Sequence, residues 1–224
     1  VYEVEDKPGI EKFDNPIYPS FHSTEGGKLS CSDDGNILAF KVGRNAVKFY
    51  SRLGNDYITH AQDFRIPSDY TIYQFEISGD GKHFAVLYGS TASNASPVFT
   101  VFTINPVDHS WTLRSSISST DTTTLLTSMA INFDASSVFV AMLDTEFDIP
   151  FIQNYHIRND QFLINGSRLY QDNIRYNNVL RLITNHSGDT FALANPSFND
   201  SFVKMYKYDT SSRDFYQTGE INSI

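Results

Sequence analysis

A turn followed by an apolar strand recurs four times along this 224-residue chain. The clearest copy is Ser78–Gly81, which is followed by the apolar run Phe84–Tyr88. Its Asp-Gly pair favours a tight hairpin turn, because glycine adopts a positive φ without steric cost. The apolar run is typical of a strand that is buried on both faces. Looser copies lie at Ser32–Phe40, Asp134–Ala141 and His186–Ala194.

The four copies are spaced regularly along the chain. Aligning them on the turn and on the Leu or Phe that follows makes Leu38, Phe84, Phe139 and Phe191 equivalent, at separations of 46, 55 and 52 residues. Repetition at roughly 40–50 residues with strand-type content is typical of a β-propeller, in which each repeat is a four-stranded blade. The sequence therefore predicts an all-β fold with four visible four-stranded blades, as part of a larger or partner-completed propeller.

The same pattern divides the chain into an arm and four blades. Residues 1–27 contain three prolines and stand outside the repeat, so we expect a lead-in arm that can supply one strand to a neighbouring blade. The blades are predicted at residues 28–68, 73–118, 128–169 and 180–221. The strands predicted within them cover residues 28–32, 37–42, 46–52, 57–64, 73–78, 83–88, 98–104, 111–118, 128–133, 138–143, 151–157, 161–169, 181–184, 190–194, 202–208 and 214–221.

The turns resemble two families of propeller repeat. The S-x-D-G turn and apolar strand at Ser32–Phe40 and Ser78–Leu87 resemble the inner hairpin of WD40 blades. The fourth unit, at Ala194–Asp209, is similar to an FG-GAP repeat. The Trp-Asp and Gly-His pairs of WD40 repeats and the Asp-x-Asp-x-Asp-Gly calcium loop of FG-GAP repeats are missing from the sequence. The resemblance therefore implies propeller geometry and a scaffold role, and it implies no ligand.

The charge of the chain restricts its partners. Its net charge is −9, from 17 basic and 26 acidic residues, and the basic residues are scattered singly. Nucleic acids and anionic membranes bind to clustered positive charge, so we expect neither as a partner. No apolar run approaches the roughly 18 residues of a membrane span. The partners expected from the sequence are proteins, which could complete the propeller.

The cellular compartment is only weakly indicated. Cys31 is the single cysteine, so an internal disulfide is excluded, which fits a reducing, intracellular location. Four N-x-S sequons, at Asn94, Asn165, Asn185 and Asn199, are close to the number expected by chance and carry no weight, and a secreted or cell-surface location stays open.

Candidate chemistry is sparse. Asp144, Glu146 and Asp148 place three carboxylates at alternate positions, which is the weak candidate for a metal site, since hard cations bind several oxygens. The sequence contains no G-x-S-x-G motif and no phosphate-binding glycine loop. We therefore expect no cofactor and no catalytic residue. A channel site assembled from several blades stays open, because its residues would be far apart in sequence.

The loop before the fourth unit is the candidate partner-binding segment. It carries Tyr170, Asn173, Tyr176, Asn177 and Asn178. Tyrosine provides a large contact area at low entropic cost, and asparagine provides adaptable hydrogen bonds. The leading hypothesis is a non-enzymatic propeller scaffold within a larger assembly. The alternatives are a propeller with a central-channel ligand or hydrolase site, and an extracellular adhesive propeller of the FG-GAP type.

Overall fold

The computed structural model describes residues 29–60, 63–90, 97–108, 110–118, 124–144, 146–147, 149–171, 181–195, 202–209 and 211–222. Within these ranges the chain forms seventeen strands in four antiparallel sheets and contains no helix. The described part of the chain accordingly has no helix with the length and hydropathy of a transmembrane span. The all-β prediction is confirmed.

Each sheet is a meander in which strands adjacent in sequence pair with each other, except that β5 of the first sheet pairs with β3. The first comprises β1 Leu29–Cys31, β2 Ile37–Val42, β3 Ala46–Leu53, β4 Asp56–Thr59 and the short β5 Phe64–Arg65. The second comprises β6 Tyr70–Ile77, β7 His83–Ser90, β8 Val98–Ile104 and β9 Trp111–Ser118. The third comprises β10 Thr124–Ile131, β11 Ser137–Asp144, β12 Ile149–Arg158 and β13 Gln161–Tyr170. The fourth comprises β14 Arg181–Thr184, β15 Thr190–Asn195, β16 Phe202–Asp209 and β17 Asp214–Asn222.

The four sheets stack side by side as blades, with their first strands innermost. Contacts run from β1 to β6, from β6 to β10 and from β10 to β14. Aromatic rings meet between the first two blades, where the centroids of Phe49 and Phe84 are 4.9 Å apart. Between the last two blades, Phe139 and Phe191 are 4.8 Å apart. Burying such a side chain contributes about 1.5–3 kcal/mol, so each blade is stabilised by its neighbours.

The repeat has a slightly different register from the predicted one. In each inner turn a backbone N–H donates to the carbonyl five residues later, and these acceptors are Ile37, His83, Ser137 and Thr190. The equivalent next residues are therefore Leu38, Phe84, Val138 and Phe191. The prediction of Phe139 is wrong by one residue. Val138 packs toward the second blade, whereas Phe139 packs toward the fourth, because successive side chains of a strand point to opposite faces.

The predicted fourth strand of the first blade, residues 57–64, is split in the structure. Thr59 pairs with Tyr50, but Phe64 pairs with Val47, so this part of the chain advances five residues while β3 advances three. Such an insertion interrupts the ladder and separates β4 from β5.

Two inner strands also begin earlier than predicted. β6 starts at Tyr70 and β10 at Thr124, and each contains a register shift, at Tyr73 and Thr127 respectively. A bulged residue breaks the two-residue alternation, so only the segment after the bulge has a regular strand pattern.

Candidate functional site

The inner turn of each blade uses its own acidic side chain. In the first blade, Asp34 Oδ1 accepts hydrogen bonds from Ser32 Oγ at 2.6 Å and from the backbone N of Asn36 at 2.9 Å. In the fourth, Asp189 Oδ1 accepts from Ser187 Oγ at 2.6 Å. The Ser32 hydrogen bond lowers the pKa of Asp34, and the Ser187 hydrogen bond lowers the pKa of Asp189, because both favour the ionised carboxylate. These acids therefore shape turns.

The four inner turns join at one end of the central channel. The backbone N of Asp33 donates to Gly79 O at 2.9 Å, that of Asp80 to Phe133 O at 2.8 Å, and that of Phe133 to His186 O at 3.2 Å. The turns of the first three blades thus each donate to the turn of the following blade. The rings of Phe133 and His186 stack with centroids 3.8 Å apart. His186 Nδ1 lies 3.7 Å from Asp33 Oδ2, which connects the fourth turn to the first.

Gly79 makes this approach possible. A Cβ at this position would lie 2.7 Å from Asp33 Oδ2 and would also overlap the ring of Phe133. Real Cβ atoms do not approach other atoms this closely, so a side chain at residue 79 would require Phe133 and Asp33 to shift.

A cavity of about 250 Å³ adjoins these turns and is lined by inner strands or turns of all four blades. The first blade contributes Ser30 and Cys31, the second Glu76, the third Asn132 and the fourth Asn185. This volume lies below the roughly 300–1,000 Å³ of pockets that hold drug-sized ligands. The cavity therefore has room for a compact chemical group.

Glu76 is the unusual residue of the cavity wall. It is half-buried as a whole residue, but its Oε2 atom is buried and has no hydrogen-bond partner among the residues that the structure describes. The carboxyl group accepts a hydrogen bond from the backbone N of Ile131 on β10. Burial raises the pKa of Glu76 to about 8, since a low-dielectric environment disfavours the charged form. An unpaired buried oxygen costs about 1–3 kcal/mol, which makes this position a candidate binding site.

The first blade has one apolar face that no described residue of another blade covers. We define the first-blade face by Leu29, Leu38, Phe40 and Tyr50, which adjoin one another across β1, β2 and β3. Leu29 is 59% exposed, and the other three are half-buried. In the other blades the positions equivalent to Leu38 are at most 2% exposed, at Phe84, Val138 and Phe191. The preceding blade covers them there.

The fourth blade has the complementary open face. We define the fourth-blade face by six apolar side chains that adjoin across β14 to β17: Ile183, Ala192, Ala194, Val203, Met205 and Ile221. Ile183 is 66%, Met205 46% and Ile221 71% exposed. The positions equivalent to Ala192 in the first three blades are fully buried, at Ala39, Ala85 and Phe139. A following blade covers them there.

The turn glycines distinguish the open face from the internal interfaces. A Cβ on Gly81 would lie 3.3 Å from Ser32 Cβ of the preceding blade, and one on Gly188 would lie 2.8 Å from Ser137 Cβ. The equivalent Gly35 has only Tyr57, of its own blade, within 4 Å. All three glycines have a φ between +68° and +72°, so the turn itself requires them, and only at Gly35 is the space beside the turn free of another described blade.

The predicted metal site is only partly described. Asp144 Oδ1 accepts hydrogen bonds from the backbone N of Glu146 at 3.1 Å and of Phe147 at 3.3 Å, so its carboxylate closes the turn after β11. Asp148 lies outside the described residues. Within the described ranges no three His, Cys, Asp or Glu side chains are grouped to hold a metal ion. Metal binding at this turn stays a prediction.

The predicted partner-binding loop is also described only at its start. Tyr170 ends β13, is 46% exposed and places its ring centroid 5.6 Å from that of Phe151. The remaining predicted residues, Asn173, Tyr176, Asn177 and Asn178, lie outside the described ranges. Partner binding by this loop stays a prediction.

Sequence reasoning missed Glu76. The available indication was a lone glutamate in the β6 sequence Tyr70–Ile77, paired with the fully buried Ala85. Directly paired residues point to the same face, so this glutamate had to point toward the third blade.

Comparisons with known proteins identify the fold. No family model and no curated protein sequence matches the chain. Among solved structures, the β-propeller domain of Cps50 (Swd1) from Myceliophteria thermophila matches 88% of this chain and 58% of its own length, with a TM-score of 0.55 and 9% identity. A protein from Lactobacillus plantarum matches 88% of this chain and 55% of its own, with a TM-score of 0.58 and 10% identity.

A third similar structure is a putative 6-phosphogluconolactonase from Bacteroides uniformis. It matches 88% of this chain and 55% of its own length, with a TM-score of 0.55 and 13% identity. The chain thus spans 55–58% of the length of these structures, and identities this low establish the fold alone. Four stacked, four-stranded antiparallel blades and these likenesses together show that the chain has the β-propeller fold.

Proposed function

We propose that this chain is a non-enzymatic β-propeller scaffold that binds a protein partner through its open blade faces. The observation that carries the proposal is the exposure of apolar positions that are buried at the three internal interfaces. Leu38 and Ala192 mark the two faces, and their equivalents in other blades are buried. Large exposed apolar patches on soluble proteins mark interaction sites.

The partner we propose is a second polypeptide that presents apolar β-sheet faces and completes the propeller ring. Such sheet faces are what cover the equivalent positions inside this chain. Four blades correspond to 55–58% of the similar structures, so the remaining 42–45% corresponds to about three blades. A second copy of this chain would bring four blades, which favours a different polypeptide.

A non-enzymatic role is supported by the buried position of the Ser51–His60 pair. Ser51 Oγ and His60 Nε2 lie 2.5 Å apart, which is a nucleophile–base pair by residue type. Both side chains are buried, at 9% and 5% exposure, and neither lines the channel cavity. A nucleophile must reach its substrate, so this hydrogen bond serves packing.

Site-specific photo-crosslinking in native cells tests the proposal. Benzoylphenylalanine is placed at Phe40 on the first-blade face, at Met205 on the fourth-blade face, and at Leu113 as a control. Leu113 is also apolar and is 63% exposed, but it lies on β9 of an internal blade. We expect Phe40 and Met205 to capture the same second polypeptide and Leu113 to capture none.

The captured polypeptide is then co-expressed with this chain. We expect a complex of fixed stoichiometry that protects both faces from hydrogen exchange. Adducts only within the chain, adducts only with a second copy, or equal capture at Leu113 would each contradict the proposal.

A further inference from the structure

We propose that the channel cavity binds a compact organic cation, an alkylammonium or guanidinium group, through the carboxylate of Glu76. This inference is independent of the open blade faces, because the cavity lies between the inner strands. It assigns a ligand class to a position for which the sequence suggested no chemistry.

The first argument is the unpaired acceptor. Glu76 Oε2 is buried without a partner, while the carboxyl group accepts only the Ile131 N–H from the protein backbone. Asn132 Oδ1 already accepts from Ser137 N at 2.8 Å, and Asn185 Oδ1 accepts from Thr190 N at 3.1 Å. A ligand that donates hydrogen bonds would satisfy Glu76 Oε2, the buried acceptor of this wall that lacks a partner among the described residues.

The second argument is the charge of the cavity. Among the described residues, its lining contains two carboxyl groups, Glu76 in the wall and Asp33 at the turns, and neither Lys nor Arg. His186 is the one basic side chain of this described lining. The chain carries a net charge of −9, which adds to the attraction for a cation.

An organic cation fits better than a metal ion. Calcium takes six to eight oxygen ligands, and magnesium takes six. The described residues contain no group of three carboxylate, His or Cys side chains placed to hold a metal. An ammonium or guanidinium group instead needs one carboxylate and a few further acceptors, such as the hydroxyl of Ser30, which lines the same cavity.

Cation binding should depend on pH. Because burial holds the pKa of Glu76 at about 8, the cation must displace a proton at lower pH. The affinity should therefore rise up to tenfold per pH unit between about pH 6 and pH 8 and then level off. The other titratable groups on the side of this carboxyl group are Cys31, Asp33 and His186 in the lining and His83 on the same face of β7 as Ala85, whereas Tyr88 of β7 packs toward the first blade and β10 has no titratable residue.

The test is calorimetric titration of the chain with n-butylammonium and n-butylguanidinium, and with n-butanol as the neutral probe. We expect the cations to bind and butanol not to bind. Glu76→Gln keeps the size of the side chain and should weaken cation binding at least tenfold at pH 8. The control Glu220→Gln removes an exposed carboxylate on β17 and should change binding less than twofold.

Two further arms complete the experiment. The pH series is repeated in Asp33→Asn and His186→Gln, and only Glu76→Gln should abolish the rise in affinity. Gly-rich hexapeptides with a central Lys, Arg or norleucine identify the source of the cation. If the Lys or Arg peptide binds more tightly than the butyl cations, the natural ligand is a protein side chain. Equal binding indicates a small amine.

Circular dichroism verifies folding of each variant. The proposal is overturned if the folded wild-type chain binds none of the cations, if butanol binds equally well, or if Glu76→Gln binds them as the wild type does.

Discussion

Asp33 Oδ2 of the first blade and His186 Nδ1 of the fourth blade lie 3.7 Å apart, although the apolar faces of these two blades remain open. The two side chains are 63% and 67% exposed, so water screens their attraction.

The Asp33–His186 pair should contribute little to stability. A double-mutant cycle of Asp33→Asn and His186→Gln should give a coupling free energy below about 1 kcal/mol, decreasing further with added salt. Urea unfolding of the four proteins measures it. A coupling above about 2 kcal/mol would mean that this contact holds the inner turns together.

Gly79→Ala should be destabilising. The new Cβ would overlap Phe133 and the carboxylate of Asp33, and overpacking of this kind typically costs about 1–3 kcal/mol. Gly219→Ala is the matched control, since a Cβ there has no atom within 4 Å. Chemical denaturation should separate the two variants, and equal stabilities would show that the turns can move apart.

The two faces of the fourth blade should lose different amounts of stability on truncation. Leu193→Ala removes a fully buried side chain that packs on the third blade and should cost about 2–5 kcal/mol. Ile183→Ala removes a side chain that is 66% exposed on the fourth-blade face and should cost less than about 1 kcal/mol. Thermal unfolding of the chain compares them. A large cost for Ile183→Ala would show that another part of the chain covers this face.

Glu76 should make the chain less stable as the pH rises. Burial raises the pKa of Glu76 from 4.5 to about 8, so between these values the folded protein holds a proton that the unfolded chain has released. The free energy of unfolding should therefore fall by about 1.4 kcal/mol per pH unit across this range. Glu76→Gln should remove this slope and stabilise the chain by roughly 3–5 kcal/mol at pH 8.

Denaturant unfolding at pH 5, 6.5 and 8 measures this slope. Glu220→Gln, on exposed β17, should leave it unchanged. A wild-type slope that persists in Glu76→Gln would assign the pH dependence to other groups.

The repeat could be predicted because its chemistry is local. The Asp34 turn is specified by residues two positions away on either side, so it is visible in the sequence as it is in the structure. The bulges at Tyr73 and Thr127 were not predicted, since a bulge depends on the partner strand. The burial of Glu76 was not predicted for a similar reason: it depends on Ile131, which lies more than fifty residues further along the chain.

The backbone hydrogen bonds between inner turns all run in one direction along the chain, which gives the arc of blades a polarity. Asp33 N–H donates forward to Gly79 and Asp80 N–H donates forward to Phe133, so the two ends of the arc are chemically different. Copies of such an arc would associate head to tail, and a heterologous contact of this kind produces a filament unless its rotation closes. A polypeptide that covers both ends would thus also act as a terminator of polymerisation.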